Sequence, residues 1–151
     1  MNRSLTILII EDTESDVILL RRALNKAGVT APVQVVNDGG EAIRYLQGTG
    51  QYGDRAAFPY PGVIFTDLKM PGMGGFELLQ WLRTHPECPF VPVIVLSGMA
   101  PDEDINRAYQ MGANACLPKP MDAGTYHEMM RKAFEFWSCC HWPVVAESLR
   151  T

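Results

Sequence analysis

Five polar residues stand at the ends of apolar runs, and their types suit one chemistry. Glu11 and Asp12 follow Leu5–Ile10, Asp67 follows Val63–Thr66, Ser97 follows Val91–Leu96, and Lys119 follows Ala113–Leu117 with Pro118 between. Three carboxylates brought together repel one another, and a hard divalent cation such as Mg²⁺, which prefers oxygen ligands, relieves that repulsion. A lysine ammonium and a serine hydroxyl beside them can neutralise and hydrogen-bond the oxygens of a phosphoryl group in transfer. That reaction needs positioning and charge stabilisation more than covalent machinery. A carboxylate can serve as the nucleophile. Asp67 is the best placed, alone at a strand end and followed by the PGMGG loop, whereas the paired Glu11 and Asp12 suit a metal. Each residue alone has an ordinary reading as a cap, a turn or a surface lysine. The four strand ends taken in order are hard to obtain by chance.

Those residues need a scaffold that gathers strand ends. The runs Leu5–Ile10, Val33–Val36, Val63–Thr66, Val91–Leu96 and, more weakly, Ala113–Leu117 mostly lack polar alternation. Such runs suit parallel strands buried on both faces. Between them the spacing becomes helical. A first helix opens near Thr13 in a T-x-x-D capping pattern and closes at Gly28, with Val17, Leu20, Leu24 and Ala27 on one face. Further helices fit Gly40–Gln47, Gly75–Thr84, Pro101–Met111 (with Pro101 in its first turn) and Asp122–Trp137. Strict alternation of five strands and five helices predicts an α/β, doubly wound, open parallel sheet. Ligands of such sheets bind outside the carboxyl ends of the strands. The Gly- and Pro-containing stretch Gly48–Gly62 reads as a long loop, an insertion in a tolerant position.

With 151 residues, 47% of them hydrophobic and 20% charged, the chain suits one globular domain. A net charge of -4 argues against a nucleic-acid surface. No apolar run approaches the roughly 18 residues of a membrane span. The N-terminal apolar run is followed at once by acids and lacks the pattern of a signal peptide. The expectation is a cytoplasmic protein without membrane attachment. Cys88, Cys116, Cys139 and Cys140 form no C-x-x-C pair, and Cys139–Cys140–His141 lacks a second ligand cluster. They read as reduced thiols.

The segments IIEDTESD, TDLKMPGMGGFELL, VPVIVLSG and GANACLPKP resemble the four signatures of response-regulator receiver domains, over about Leu5 to Trp137. The resemblance implies a CheY-like, flavodoxin-like (βα)5 fold with strand order 2-1-3-4-5. It implies a two-component phosphorelay in which a sensor histidine kinase phosphorylates Asp67. The chain would then be no enzyme but a phosphoacceptor that assists its own phosphorylation and dephosphorylation. Asp12, Asp67 and the backbone carbonyl of Lys69 would bind Mg²⁺, with Glu11 acting through water. Ser97 would be the switch hydroxyl, and Lys119 would pair with the phosphate across a cis Lys119–Pro120 bond. The long loop and the EFW ending of the last helix resemble stand-alone regulators that partner phytochrome-type photoreceptor kinases.

The pattern is departed from in three places. Cys116 stands where receivers usually carry Tyr or Phe, so ring burial cannot report the switch. Lys69 and Met99, two residues after Asp67 and Ser97, are expected to shield an acyl phosphate. Gly74 replaces an Asp and is expected to loosen the start of the third helix. After residue 137 only 138–151 remain, so residues 1–137 read as the receiver domain followed by a short tail without an output domain. Output then falls to the receiver surface. In Asp122–Trp137 the residues Tyr126, Met130, Ala133 and Trp137, widened by Met129, Phe134 and Phe136, exceed the roughly 100° of a usual apolar stripe. That predicts a homodimer or partner interface through residues 122–137, against the competing reading that the HWPVV tail folds back over the excess. A haloacid-dehalogenase-type phosphatase would need an acid where Lys69 stands. A flavodoxin-like nucleotide or flavin module would want a phosphate loop in place of Glu11 and Asp12. A receiver that is never phosphorylated would not need all five residues.

Overall fold

The computed structural model describes residues 5–70, 72–85 and 90–143; Cys88 and the tail from Val144 onward lie outside them. Five parallel strands, β1 (Ile7–Ile10), β2 (Val33–Val36), β3 (Val63–Thr66), β4 (Val93–Ser97) and β5 (Ala115–Pro118), alternate with five helices. These are α1 (Glu14–Lys26), α2 (Gly39–Gln47), α3 (Gly75–Thr84), α4 (Asp102–Gln110) and α5 (Ala123–Ser138). The strand order is β2-β1-β3-β4-β5, so β3 is central. This is the predicted flavodoxin-like (βα)5 sheet.

Successive strand residues face opposite sides, and both sides are apolar. Leu8, Ile10, Ile64, Val93 and Val95 face Ala42, Tyr45 and Leu46 of α2, Leu78, Leu79 and Leu82 of α3 and Ala108 of α4. Ile7, Ile9, Val63, Phe65, Ile94 and Leu96 face Leu20, Ala23 and Leu24 of α1 and Tyr126 and Met130 of α5. Each fully buried aliphatic side chain, such as Leu82 or Ile64, contributes about 2 kcal/mol of transfer free energy. That two-sided burial is why the strands carry no polar alternation. Among the described residues, no helix is long and apolar enough to cross a membrane.

Several local expectations change. The Thr13 side chain makes no cap hydrogen bond; only its carbonyl accepts from the Asp16 and Val17 N–H groups. The carboxylate of Asp16 is drawn instead to a lysine across the sheet edge. Pro101 is the N-cap of α4 and not part of its first turn. The Lys119–Pro120 bond is trans, like every described peptide bond; trans is the lower-energy form of an X-Pro bond. Gly74 does not loosen α3. Its N–H donates to Glu77 Oε2 at 3.1 Å, and a Cβ there would stand 2.9 Å from the Leu68 carbonyl oxygen, so the turn closes tightly because the side chain is absent.

The stretch 48–62 is not a slack insertion. After Gly48 in a left-handed conformation ends α2, Arg55 turns inward and is 9% exposed. Its Nη1 and Nη2 donate to the carbonyls of Tyr45 and Leu46, both at 2.8 Å, satisfying the last turn of α2. Tyr52 and Phe58 pack edge-on at 5.0 Å between ring centroids, and Tyr45 Oη donates to the Pro59 carbonyl. Burial pushes the Tyr45 phenol up to about 12, against the opposing pull of Arg55.

Candidate functional site

The sheet register assembles the site. Ile10 of β1 pairs with Thr66 of β3, so Glu11 and Asp67 leave the sheet side by side, with the Asp67 N–H pointing to the Ile10 carbonyl at 3.4 Å. Ser97 of β4 pairs with Pro118 of β5, and the Lys119 N–H donates to the Ser97 carbonyl at 2.8 Å. Glu11, Asp67, Ser97 and Lys119 thus meet at one sheet edge, as the strand-end pattern predicts.

Lys119 is the centre of this group. Its Nζ donates to Glu11 Oε2 at 2.6 Å, Asp16 Oδ2 at 3.0 Å and Asp67 Oδ2 at 3.0 Å. Burial opposes the ammonium charge, but the hydrogen bonds it donates to Glu11, Asp16 and Asp67 outweigh it and raise the Lys119 pKa above the ordinary lysine value. Glu11 is 6% exposed. Desolvation lifts its carboxyl above the usual range, while Lys119 and the Thr13 N–H, 3.1 Å from its Oε1, pull the other way. Asp67 Oδ1 accepts from the Leu68 N–H at 2.7 Å, which fixes the carboxylate with its second oxygen toward Lys119. Ser97 is buried, and its hydroxyl makes no hydrogen bond to another described residue. Asp12 is exposed at the rim.

Asp16 was missed as a member of this group. The T-x-x-D pattern made it a helix cap, yet it sits on the first turn after Glu11–Asp12, at the same sheet edge, and that position was the available signal. Tyr126 of α5, which the sequence places in the apolar stripe of residues 122–137, is buried at the site. It lines, with Glu11, Asp16, Asp67 and Lys119, a cavity of about 10 Å³, the space of one water. A larger open cavity of about 580 Å³ lies against Lys69, Phe76, Asp104 and Arg107; none of the five strand-end residues lines it.

Lys69 and Met99 do not cover Asp67. Met99 is 98% exposed, and Lys69 Nζ lies 3.9 Å from Asp104 Oδ2 on α4. Cys116 donates its backbone N–H to Tyr109 Oη at 3.0 Å; burial raises its thiol pKa, opposed by Tyr109. On α5, Phe134 stacks on Phe65 at 6.4 Å and Trp142 Nε1 donates to the Trp137 carbonyl at 3.1 Å. Part of the wide apolar arc is therefore covered from within the chain, and Phe136, 67% exposed, remains outside.

Four carboxylates (Glu11, Asp12, Asp16 and Asp67) and one ammonium meet at this edge, a net negative, all-oxygen donor set that suits a hard cation. Among the described residues, no three His, Cys, Asp or Glu side chains are already arranged as a metal-ligand group; the Lys119 ammonium stands between the carboxylates.

The sequence profile of the response regulator receiver domain matches residues 7–131. The chain belongs to that family. Solved receivers agree with it along nearly their whole length. The response regulator RPA3017 in red light signaling of R. palustris is 31% identical, with a TM-score of 0.87 over 93% of this chain and 99% of that one. The phosphorylated cyanobacterial phytochrome response regulator RcpA is 29% identical, with a TM-score of 0.84 over 94% and 100%. Response regulator Rcp1 of Synechocystis is 28% identical over 131 residues, 87% of each chain. The Mn²⁺-bound form of Rcp1 superposes with a TM-score of 0.80 at 26% identity, over 92% of this chain and 99% of that one. The protein is a CheY-like receiver of two-component phosphotransfer signalling, and the phosphatase and flavin-module readings fall away.

Proposed function

We propose that Asp67 is the phosphoacceptor of this receiver and that Lys119 and Ser97 serve the transfer. A carboxylate oxygen of Asp67 attacks the phosphorus of a phosphohistidine on a sensor histidine kinase. The new P–O bond forms as the P–N bond breaks, and the bonding pair leaves with the imidazole nitrogen. Lys119 places positive charge beside the acceptor oxygen, and the Ser97 hydroxyl is free to donate to a phosphoryl oxygen. The observation that carries this reading is the Lys119 ammonium 3.0 Å from Asp67 Oδ2, because charge held in place is what this reaction needs.

Asp12, Asp67 and the Lys69 carbonyl would hold Mg²⁺, with Glu11 assisting through water; bound there, the ion supplies positive charge to carboxylate and phosphoryl oxygens. The surplus of carboxylate over ammonium supports this, as does the Mn²⁺ carried by Rcp1. A phytochrome-type kinase is the proposed phosphodonor, supported by the likeness to RcpA and RPA3017, in the cytoplasm and without nucleic acid. The receiver unit is 1–137, with 138–151 as a tail, and its output runs through protein contacts of its own surface.

The test is the intact mass after incubation with Mg²⁺ and a small phosphodonor such as acetyl phosphate. One added phosphoryl group is expected, and none at any donor concentration removes the reading. The homodimer through residues 122–137 is supported by the exposed Phe136. Light scattering is expected to find a dimer in the phosphorylated form; a monomer both with and without phosphate removes that part.

A further inference from the structure

A lysine ammonium has three N–H donors, and in this protein all three are taken by carboxylates. Glu11 is deeply buried and tied by the Thr13 N–H. Asp67 is held by the Leu68 N–H. The third acceptor, Asp16, comes from α1, 103 residues away in sequence. Its side chain is 36% exposed, more than that of either other acceptor. Without it, one N–H of Lys119 would be free and the ammonium could swing about its flexible four-carbon stem. With it, the N–H aimed at Asp67 Oδ2 has one direction.

We infer that Asp16 is a positioning residue for phosphoryl transfer: it completes the three-carboxylate cradle that aims Lys119 at Asp67. It acts through Lys119 and touches neither donor nor acceptor. The inference rests on the reading of Asp67 as phosphoacceptor and adds a residue from another element to it. A charge held in place before the reaction costs no reorganisation when charge develops in the transition state. Asp16 is also spent on this contact and not on capping α1, where the T-x-x-D pattern would have put it.

The experiment measures phosphorylation rates with Mg²⁺ and acetyl phosphate for the wild type, Asp16→Ala, Asp16→Glu, Lys119→Ala and the double variant Asp16→Ala/Lys119→Ala. Asp16→Ala is expected to lower the maximal rate about tenfold, as loss of an outer-shell partner does, with the half-saturating donor concentration unchanged. Asp16→Glu, which keeps a carboxylate, recovers most of it. In the Lys119→Ala background, Asp16→Ala changes nothing further, because the cycle isolates an effect exerted through Lys119. The ¹H–¹⁵N signal of a lysine ammonium in slow exchange, seen in the wild type, is lost in Asp16→Ala; this readout needs no activity and no Mg²⁺. An unchanged maximal rate in Asp16→Ala overturns the inference while leaving Asp67 in place. So does an equal loss with and without Lys119, which would mark a structural role. A wild type that takes no phosphate overturns the reading of Asp67 itself, and the inference with it.

Discussion

Asp67→Asn is expected to take up no phosphoryl group under conditions that load the wild type fully, while its unfolding free energy stays within about 1 kcal/mol of wild type. The amide has no anionic oxygen to attack phosphorus, so the loss of uptake is complete and not a graded slowing. Stability is nearly conserved because two effects oppose one another. The amide can still accept from the Leu68 N–H, the 2.7 Å bond that orients the side chain, but its NH₂ then faces the Lys119 ammonium and one hydrogen bond is lost. Against this, one of four carboxylates is neutralised, and Lys119 keeps Glu11 and Asp16. Intact mass and urea denaturation of the same preparation check both halves. Uptake by the variant at the wild-type level would move the acceptor away from Asp67, whereas a loss of several kcal/mol would show that lost uptake reflects unfolding.

Gly75→Ala should be the most damaging single methyl group at this site. Gly75 opens α3 directly behind the loop that follows Asp67, with its N–H donating to the Leu68 carbonyl at 3.0 Å. A Cβ there would stand inside van der Waals distance of the Asp67 carbonyl oxygen and 2.9 Å from Leu68 Cα. Both are backbone atoms, so no flexible side chain can yield, and either the end of β3 or the start of α3 must shift. Overpacking of this kind costs about 3 kcal/mol. A displacement of about 1 Å at the proposed nucleophile is expected to lower the transfer rate on the order of a hundredfold. Gly98→Ala is the control, since Gly98 also adjoins a strand-end residue but a Cβ there meets nothing within 4 Å. Urea midpoints and phosphorylation rates of the two variants should separate widely. Equal behaviour would mean that the close approach of α3 to the end of β3 does not matter.

The strands were legible from local pattern because two-sided burial demands continuous apolar runs, and β2 and β3 keep the expected bounds. The helix bounds held to within one or two residues because each helix must turn one apolar face to the sheet. The strand ends named Glu11, Asp67, Ser97 and Lys119 as neighbours, since parallel strands present their carboxyl ends at one edge. Where reading failed, one local motif had two uses. Asp16 fits a helix cap as well as a lysine partner, and only the seating of α1 beside α5, which brings it to the lysine that follows β5, selects the second. Arg55 in a Gly- and Pro-bearing stretch looks like loop polarity, until the end of α2 offers it two carbonyls.

Asp67 shows the same division. Its residue type and its place at the end of an apolar run were enough to single it out as the proposed nucleophile, because chemistry depends on the functional group and period on the local chain. That its carboxylate shares one ammonium with Glu11 and Asp16 was decided by tertiary structure alone. Lys119 reaches partners 52, 103 and 108 residues away, and no local spacing encodes which of several nearby carboxylates a flexible lysine will meet. The covering of α5 by Trp142 was settled the same way, since an apolar arc records the need for burial but not what supplies it.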